Sequence, residues 1–119
     1  MTLTSGHASG ITDSGTVTVG GNLAATTDAA NGVINMGTLE VDGTIALNTN
    51  GNGAATAVND AGFNFAASTV GGALVATATT GNMTDSGALT ITGTSAFTTT
   101  ANDATIVLNT STNAFTGAL

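Results

Sequence analysis

The chain has 119 residues, seven acidic side chains, no lysine or arginine, and a net charge of −7 at pH 7. Nucleic-acid binding and electrostatic docking to anionic membranes both depend on basic side chains, so we predict neither partner. The chain also lacks cysteine, proline, tryptophan and tyrosine. The absence of cysteine excludes disulfides and thiolate metal sites. No apolar run approaches the roughly 20 residues that a membrane-spanning helix needs, so membrane insertion is not predicted.

Short runs of alternating apolar and polar residues, separated by Gly, Asn and Asp, follow one another along the whole chain. This pattern is typical of β-strands joined by turns, and no stretch shows the apolar periodicity of a helix. We predict strands at Thr2–Thr4, Thr16–Val19, Asn22–Ala25, Gly32–Asn35, Thr38–Val41, Thr44–Leu47, Ala54–Val58, Phe63–Ala66, Ala73–Ala78, Ala88–Thr92, Ser95–Thr99, Thr105–Asn109 and Ala114–Ala118.

The alternation also predicts which side chains are buried, because successive residues of a strand point to opposite faces. The predicted inward side chains are aliphatic: Leu3, Val17, Val19, Leu39, Val41, Ile45, Leu47, Leu89 and Ile91. The predicted outward side chains are Thr16, Thr18, Glu40, Thr90 and Thr92. Four phenylalanines are expected to fill the interior: Phe63, Phe65, Phe97 and Phe115. Five asparagines are candidates for amide ladders between coils: Asn35, Asn48, Asn59, Asn109 and Asn113.

Internal repetition predicts the architecture. The segment from Ile11 to Val19 returns as Met83 to Ile91, and each copy contains Thr-Asp-Ser-Gly. Val17–Gly21 and Leu39–Gly43 lie 22 residues apart, the size of one coil with three strands and three corners. Short strands that cannot bury their own faces must stack on copies of themselves. We therefore predict one all-β domain over residues 1–119, a parallel β-helix (β-solenoid) of about five triangular coils without significant helix. Two related copies are expected at about 11–82 and 83–119.

The ends of this solenoid are predicted to be open. The last residues read as though they continue into the first strand, and neither end carries the polar capping coil that stops edge-to-edge growth. This pattern indicates either a segment of a longer tandem array or subunits that stack end to end. The residues expected to associate are Thr2, Leu3, Thr4, Phe115, Ala118 and Leu119.

Three phrases carry a resemblance to a known class of proteins: Gly-Ala-Leu-Thr-Ile-Thr-Gly at 87–93, Thr-Ile-Val-Leu-Asn at 105–109 and Asn-Ala-Phe-Thr-Gly-Ala-Leu at 113–119. They resemble the β-solenoid repeats of giant bacterial surface proteins, of the filamentous haemagglutinin and autotransporter-like adhesin kind. The resemblance implies a right-handed parallel β-helix at the cell surface or outside the cell, serving as a stalk or adhesive fibre. The secretion signal is expected to lie outside this sequence.

Side chains suited to chemistry are few. His7 is the only histidine and lies in a Ser-Gly-His-Ala-Ser-Gly turn, so we predict a surface turn residue. Asp13, Asp85, Asp60 and Asp103 recur in turns, where aspartate bonds nearby backbone amides. No metal site is predicted, and calcium held between coils is the alternative considered for these four. Polysaccharide-cleaving β-helices usually supply basic side chains and aromatic platforms, and this chain has no lysine, arginine, tryptophan or tyrosine. We therefore predict neither catalysis nor a cofactor.

These observations favour a structural repeat module of an extracellular fibre or adhesin stalk, whose main partner is another copy or an adjacent repeat. The alternative is a binding module that uses a flat threonine-rich face for ice, a glycan or a host surface. The pairs Thr16/Thr18, Thr90/Thr92 and Thr98/Thr100 suggest such a face. Glu40 interrupts it, and threonine is a common residue on the solvent side of strands, so the structural function is preferred.

Overall fold

The computed structural model describes all 119 residues, and every regular element in it is a β-strand. No helix capable of spanning a membrane is therefore present. The strands are β1 (Thr2–Ser5), β2 (Ile11–Thr12), β3 (Val17–Val19), β4 (Leu23–Ala30), β5 (Ile34–Val41), β6 (Thr44–Asn50), β7 (Ala55–Asn59), β8 (Phe63–Phe65), β9 (Ser68–Val70), β10 (Leu74–Ala78), β11 (Met83–Asp85), β12 (Leu89–Ile91), β13 (Ser95–Thr99), β14 (Ile106–Val107) and β15 (Ala114–Phe115).

All strand pairs are parallel and join successive turns of the chain, as in a β-solenoid. A nine-stranded sheet contains β1, β4, β6, β8, β9, β11, β12, β14 and β15, and a six-stranded sheet contains β2, β3, β5, β7, β10 and β13. Paired residues are 19 positions apart at Ala55↔Leu74 and 24 apart at Thr90↔Ala114. The chain thus makes about five turns, which confirms the predicted parallel β-solenoid.

The number of strands per coil changes along the axis. From residue 55 onward each coil has three strands, as predicted for a triangular coil: β7–β9, β10–β12 and β13–β15. Before that point, β5 and β6 are longer, and β6 pairs with both β8 and β9. Ala66-Ala67 separates β8 from β9 and Ser86-Gly87-Ala88 separates β11 from β12, whereas β6 runs without a break.

The interior is a single aliphatic and aromatic column enclosed by the coils. Seven of the nine predicted inward side chains are buried, and the other two, Leu3 and Val17, are partly buried against the same core. The five predicted outward side chains are all exposed. The phenylalanines form a continuous stack, with ring centroids 4.4 Å apart for Phe63 and Phe65, 5.9 Å for Phe65 and Phe97, and 5.8 Å for Phe97 and Phe115. The predicted faces are confirmed. Phe63 and Phe65 are buried as predicted, whereas Phe97 and Phe115 are partly buried against the same core.

One corner of the solenoid is built from stacked glycines, here called the glycine ladder: Gly53, Gly72, Gly93 and Gly117. The Gly72 N–H donates to the Gly53 carbonyl at 2.8 Å, and the Gly93 N–H donates to the Gly72 carbonyl at 3.1 Å. A Cβ on Gly72 would lie 2.4 Å from the carbonyl oxygen of Asn52, and one on Gly117 would lie 2.3 Å from that of Gly93. Coils can approach this closely only because these corners carry no side chain.

The asparagines do not form the expected amide ladders. No asparagine amide bonds another asparagine amide between coils; the amides bond backbone groups and, at Asn113, an aspartate. Asn59 is fully buried where β7 ends while β5 continues to Val41. Its Oδ1 accepts the Val41 N–H at 2.8 Å, and its Nδ2 donates to the carbonyls of Val41 and Gly62 at 2.9 and 2.7 Å. The Asn59 side chain thus replaces a missing stretch of backbone ladder.

Candidate functional site

The strands of the first and last coils leave one edge unpaired at each end of the solenoid. At the N-terminal end, β1 pairs only with β4, and β2 and β3 pair only with β5. At the C-terminal end, β13, β14 and β15 each pair only with the coil below. Edge strands present rows of free N–H and C=O groups that are templates for further strand pairing.

The apolar interior is also open at both ends. The residues Phe63, Met83 and Ile106 occupy equivalent positions in consecutive coils, and their exposed fractions are 1%, 0% and 43%. The partly buried apolar residues that pack on the core belong to the first and last coils. We define the N-terminal end face as the surface formed by Leu3, Ile11 and Val17. The C-terminal end face is the surface formed by Phe97, Ile106, Leu108 and Phe115.

The predicted association residues lie at these ends. Thr2, Leu3 and Thr4 belong to edge strand β1, and Phe115 belongs to edge strand β15. The carbonyl of Ala118 accepts the Ser95 N–H at 2.8 Å, and Leu119 is 80% exposed. Their association with another copy stays a prediction.

Sequence reasoning missed five end-face residues: Ile11, Val17, Phe97, Ile106 and Leu108. Counting coils of about 21 residues back from the last strand would have placed Phe97, Ile106 and Leu108 in the final turn. The same count forward from the first strand would have placed Ile11 and Val17 in the first turn.

The two Thr-Asp-Ser-Gly segments make the same contact with the next coil. Asp13 accepts the N–H groups of Gly37 and Thr38 at 3.0 and 2.9 Å, which lie 24 and 25 positions ahead. Asp85 accepts the N–H groups of Asn109 and Thr110 at 3.0 and 3.2 Å, again 24 and 25 positions ahead. We call each arrangement an aspartate clasp, since one carboxylate holds two backbone amides of the neighbouring turn.

The two clasps lie on different sheets. Asp13 lies between β2 and β3 of the six-stranded sheet, whereas Asp85 ends β11 of the nine-stranded sheet. The two aspartates are 72 positions apart (85 − 13), which is not a whole number of coils. The two Thr-Asp-Ser-Gly segments are therefore alike in sequence but not in their position around the solenoid, and the division into copies at 11–82 and 83–119 stays a prediction.

The clasps leave few carboxylate oxygens for a cation. Both oxygens of Asp13 and of Asp85 accept N–H donors, and the Asn113 amide adds a third bond to Asp85 at 2.6 Å. Asp60 and Asp103 are exposed, and no group of three or more acidic or histidine side chains converges. The hydrogen bonds of Asp13 and Asp85 are those expected of the backbone-bonding interpretation.

The clasps predict an acid-sensitive contribution to stability. Partial burial raises the pKa of Asp13, but its hydrogen bonds from Gly37 and Thr38 outweigh burial and lower it overall. The pKa of Asp85 is likewise raised by burial and lowered overall by bonds from Asn113, Asn109 and Thr110. Because the folded pKa values are below the unfolded ones, the clasp stabilisation is complete above about pH 4 and is lost as pH falls through the folded values.

Urea unfolding at several pH values tests this contribution. The double variant D13N/D85N is expected to be less stable than the parent near neutral pH, and the difference should shrink as the pH falls below about 4. The control is D60N/D103N, which changes two exposed aspartates without a clasp. A stability gap between D13N/D85N and the parent that stays constant with pH would contradict the assignment.

Comparison with known families decides how the chain is classified. Residues 52–119 match the family described as Repeats of unknown function (DUF5649). The chain belongs to this family. The matched residues of the DUF5649 chain contain β7 to β15, the part in which every coil has three strands. No curated protein and no solved structure matches the chain.

His7 of the DUF5649 chain is an exposed turn residue, as the sequence suggests. Its N–H donates to the Ser5 hydroxyl at 3.3 Å, and its Nδ1 accepts the Ser9 N–H at 3.1 Å. These contacts close the turn that leads to β2. In a catalytic triad, Nδ1 of the histidine bonds the carboxylate that orients the ring. In this chain Nδ1 of His7 bonds the Ser9 N–H instead.

Two shallow grooves run along the outside of the DUF5649 solenoid. The larger, about 340 Å³, is lined by polar residues that include Asp42, Asn64, Asn82 and Thr84. The second, about 230 Å³, is lined by Thr16, Thr38, Glu40, Asp60 and Thr79 among others. Glu40 accepts the Thr18 hydroxyl at 2.8 Å. The chain has no basic side chain to accompany these acids and no tryptophan or tyrosine to stack on a sugar.

The three threonine pairs do not share one face. Thr16/Thr18 and Thr98/Thr100 lie on or beside strands of the six-stranded sheet, whereas Thr90/Thr92 belongs to the nine-stranded sheet. A different row is continuous on the nine-stranded sheet, where register pairs join Thr4, Thr26, Asn48, Thr69 and Thr90. Glu40 lies on the other sheet, so this row contains no charge.

Proposed function

We propose that this chain is a structural repeat segment of an extracellular fibre or adhesin stalk, and that copies of it stack end to end through the two end faces. The observation that carries the proposal is the open interior at Ile106, which is 43% exposed while the equivalent Met83 in the coil below is fully buried. A further coil placed on β14 would bury Ile106 as β14 buries Met83. Each such side chain contributes about 1.5–3 kcal/mol when fully buried.

The partner to which the proposal commits is a second copy of the same chain. The N-terminal end face offers aliphatic side chains, and the C-terminal end face offers Phe97 and Phe115 with Ile106 and Leu108. Such head-to-tail contacts between unlike surfaces generate open filaments rather than closed dimers. The parallel edges at both ends allow the backbone ladder to continue across the junction.

An extracellular location is supported by two observations. The chain contains no lysine or arginine and hence no trypsin cleavage site, which suits a protein exposed to proteases. The phrases at 87–93, 105–109 and 113–119 resemble repeats of secreted bacterial adhesins.

The large apolar and hydrogen-bonded interior, with no convergent group of ionisable side chains, supports a structural rather than a catalytic function.

Electron microscopy and sedimentation velocity at increasing concentration test the stacking. The unmodified chain is expected to form unbranched fibres, and Ile106→Lys is expected to remain monomeric because it places a charge in the end face. The matched control is Val75→Lys, since Val75 has a similar exposure of 40% but lies on central strand β10. Val75→Lys should form fibres like the parent. A parent chain that stays monomeric at every concentration, or equal loss of fibres in both variants, would refute the proposal.

A second candidate function rests on the uncharged row Thr4–Thr26–Asn48–Thr69–Thr90. Parallel strands lie about 4.8 Å apart, so this row presents regularly spaced polar groups to ice or to another ordered surface. Inhibition of ice recrystallisation by the monomeric Ile106→Lys variant would support this function. If the Ile106→Lys variant does not affect ice growth, the ice-binding function is refuted.

A further inference from the structure

We propose that Asn50 is a site of spontaneous deamidation in the folded protein, and that the reaction alters the corner between β6 and β7. Two Asn-Gly pairs, Asn50-Gly51 and Asn52-Gly53, lie at this corner, and a third, Asn31-Gly32, lies between β4 and β5 in the preceding coil. An asparagine followed by glycine is the pair most open to attack by the next backbone nitrogen, because glycine has no side chain to obstruct the approach. The structure distinguishes the three pairs.

The nucleophile is free in only one of them. The Gly32 N–H donates to the Ala29 carbonyl at 3.0 Å, and the Gly53 N–H donates to the Asn50 carbonyl at 3.2 Å. Both of these glycines are buried. The Gly51 N–H donates to no backbone acceptor, and Asn50 and Gly51 are both exposed to solvent. Water and hydroxide therefore reach the Gly51 nitrogen, whereas the attacking nitrogens of the other two pairs are buried and hydrogen-bonded. At Asn50 only the side-chain bond from Nδ2 to the Asp28 carbonyl has to open.

The reaction needs only water as co-reactant. After loss of its proton, the Gly51 nitrogen attacks Cγ of Asn50 and forms a new C–N bond. The bond from Cγ to Nδ2 breaks, and the side-chain nitrogen leaves as ammonia with a proton from solvent. Water then opens the resulting succinimide at either carbonyl, which gives aspartate or isoaspartate at position 50.

The products remove a contact between two coils. Asn50 Nδ2 donates to the Asp28 carbonyl at 2.7 Å, where Ala30 of β4 pairs with Asn50 of β6. A carboxylate cannot donate this bond and adds a negative charge beside Asp28. Isoaspartate also lengthens the backbone by one carbon next to Gly51, whose carbonyl packs directly against Gly71 of the following coil. Deamidation is therefore expected to loosen this corner.

Peptide mapping can separate the three sites. Cleavage before aspartate yields the fragment 28–41, which contains Asn31, and the fragment 42–59, which contains Asn50 and Asn52. The folded chain and the chain unfolded in urea are incubated in the same mildly alkaline buffer, and fragment masses are followed over time. In the folded chain, the isoaspartate product should appear as fragment 42–59 with the mass gain of an amide converted to an acid, which tandem mass spectra should place at position 50. The aspartate product creates a new cleavage site and should appear as fragments 42–49 and 50–59. Fragment 28–41 should change only in urea.

Two variants complete the test. Asn50→Gln keeps an amide donor but forms the cyclic intermediate much less readily, so its fragment should lose the early mass gain. Asn52→Gln should retain it. The proposal is overturned if Asn31 or Asn52 reacts as fast as Asn50 in the folded chain. It is equally overturned if the folded chain yields only the unchanged fragment 42–59, with neither the heavier form nor the fragments 42–49 and 50–59, while the urea-unfolded chain converts.

Discussion

Replacement of Gly72 by valine is expected to lower the free energy of unfolding by about 3 kcal/mol or more, and to leave the solenoid unfolded at moderate temperature. A Cβ at this position would lie 2.4 Å from the Asn52 carbonyl oxygen and 2.9 Å from the Ala54 nitrogen. Both are backbone atoms of the adjacent coil and cannot rotate away. Coils would have to separate, which would lengthen the bond from the Gly72 N–H to the Gly53 carbonyl.

The matched control is Gly21→Val at another corner. A Cβ on Gly21 meets no atom within 4 Å, so this variant should unfold close to the parent in urea or heat, monitored by circular dichroism. For a domain of this size, a loss of about 3 kcal/mol corresponds to a fall in melting temperature of roughly 10 °C or more. Equal stability of the two valine variants would show that the glycine ladder tolerates side chains and that the stacking described here is wrong.

Replacement of Asn59 by alanine is expected to destabilise the chain by about 3 kcal/mol, because it leaves several buried polar groups unpaired. The side chain is fully buried and makes three hydrogen bonds: to the N–H of Val41 and to the carbonyls of Val41 and Gly62. Alanine supplies none of them. Water cannot readily replace them because the surrounding groups belong to the packed interior.

Asn48→Ala is the appropriate comparison for Asn59→Ala. Asn48 is only half-buried, and its Oδ1 accepts a single bond from the Thr69 N–H at 3.1 Å. Its loss should cost about 1 kcal/mol or less, since solvent can satisfy the Thr69 amide. Asn59→Asp is informative as well, because a carboxylate can accept the Val41 N–H but cannot donate to the two carbonyls. If Asn59→Ala and Asn48→Ala have the same urea midpoint, the ladder-replacing function assigned to Asn59 is refuted.

The alternation of apolar and polar residues within each strand predicted which side chains of that strand are buried. Leu39, Val41, Ile45 and Leu47 are buried as expected because a strand with one apolar face has only one way to orient in a solenoid. The length of one coil, near 22 residues, could likewise be read from the spacing of similar segments in adjacent coils. These features need no knowledge of distant pairings.

Features that depend on register between coils were not predictable. The distance between paired residues varies from 19 to 24 positions, so a repeated sequence segment cannot be assigned to a face by counting. Asp13 and Asp85 lie on different sheets because their separation of 72 positions (85 − 13) is not a whole number of coils. Asn59 finds its partners because β5 contains an irregular register against β7 between Met36 and Leu39, which no local pattern in β7 reveals.

The candidate end faces were predicted in part. Leu3 and Phe115 could be assigned to the ends because they lie close to the chain termini. Phe97 and Ile106 lie farther from the terminus in sequence but in the same final coil, since one turn takes about 21 residues. The end face of a solenoid is thus formed by residues from the whole terminal coil, and not only by those next to the chain terminus.

The aspartate clasp makes growth of this fold insensitive to the length of the duplicated segment. Each clasp accepts two backbone amides of the next turn, and the two clasps lie on different sheets. A duplicated Thr-Asp-Ser-Gly segment that arrives out of phase with the coils can therefore still hold its neighbour. Arrays of this kind can lengthen by unequal insertions without a matching change elsewhere.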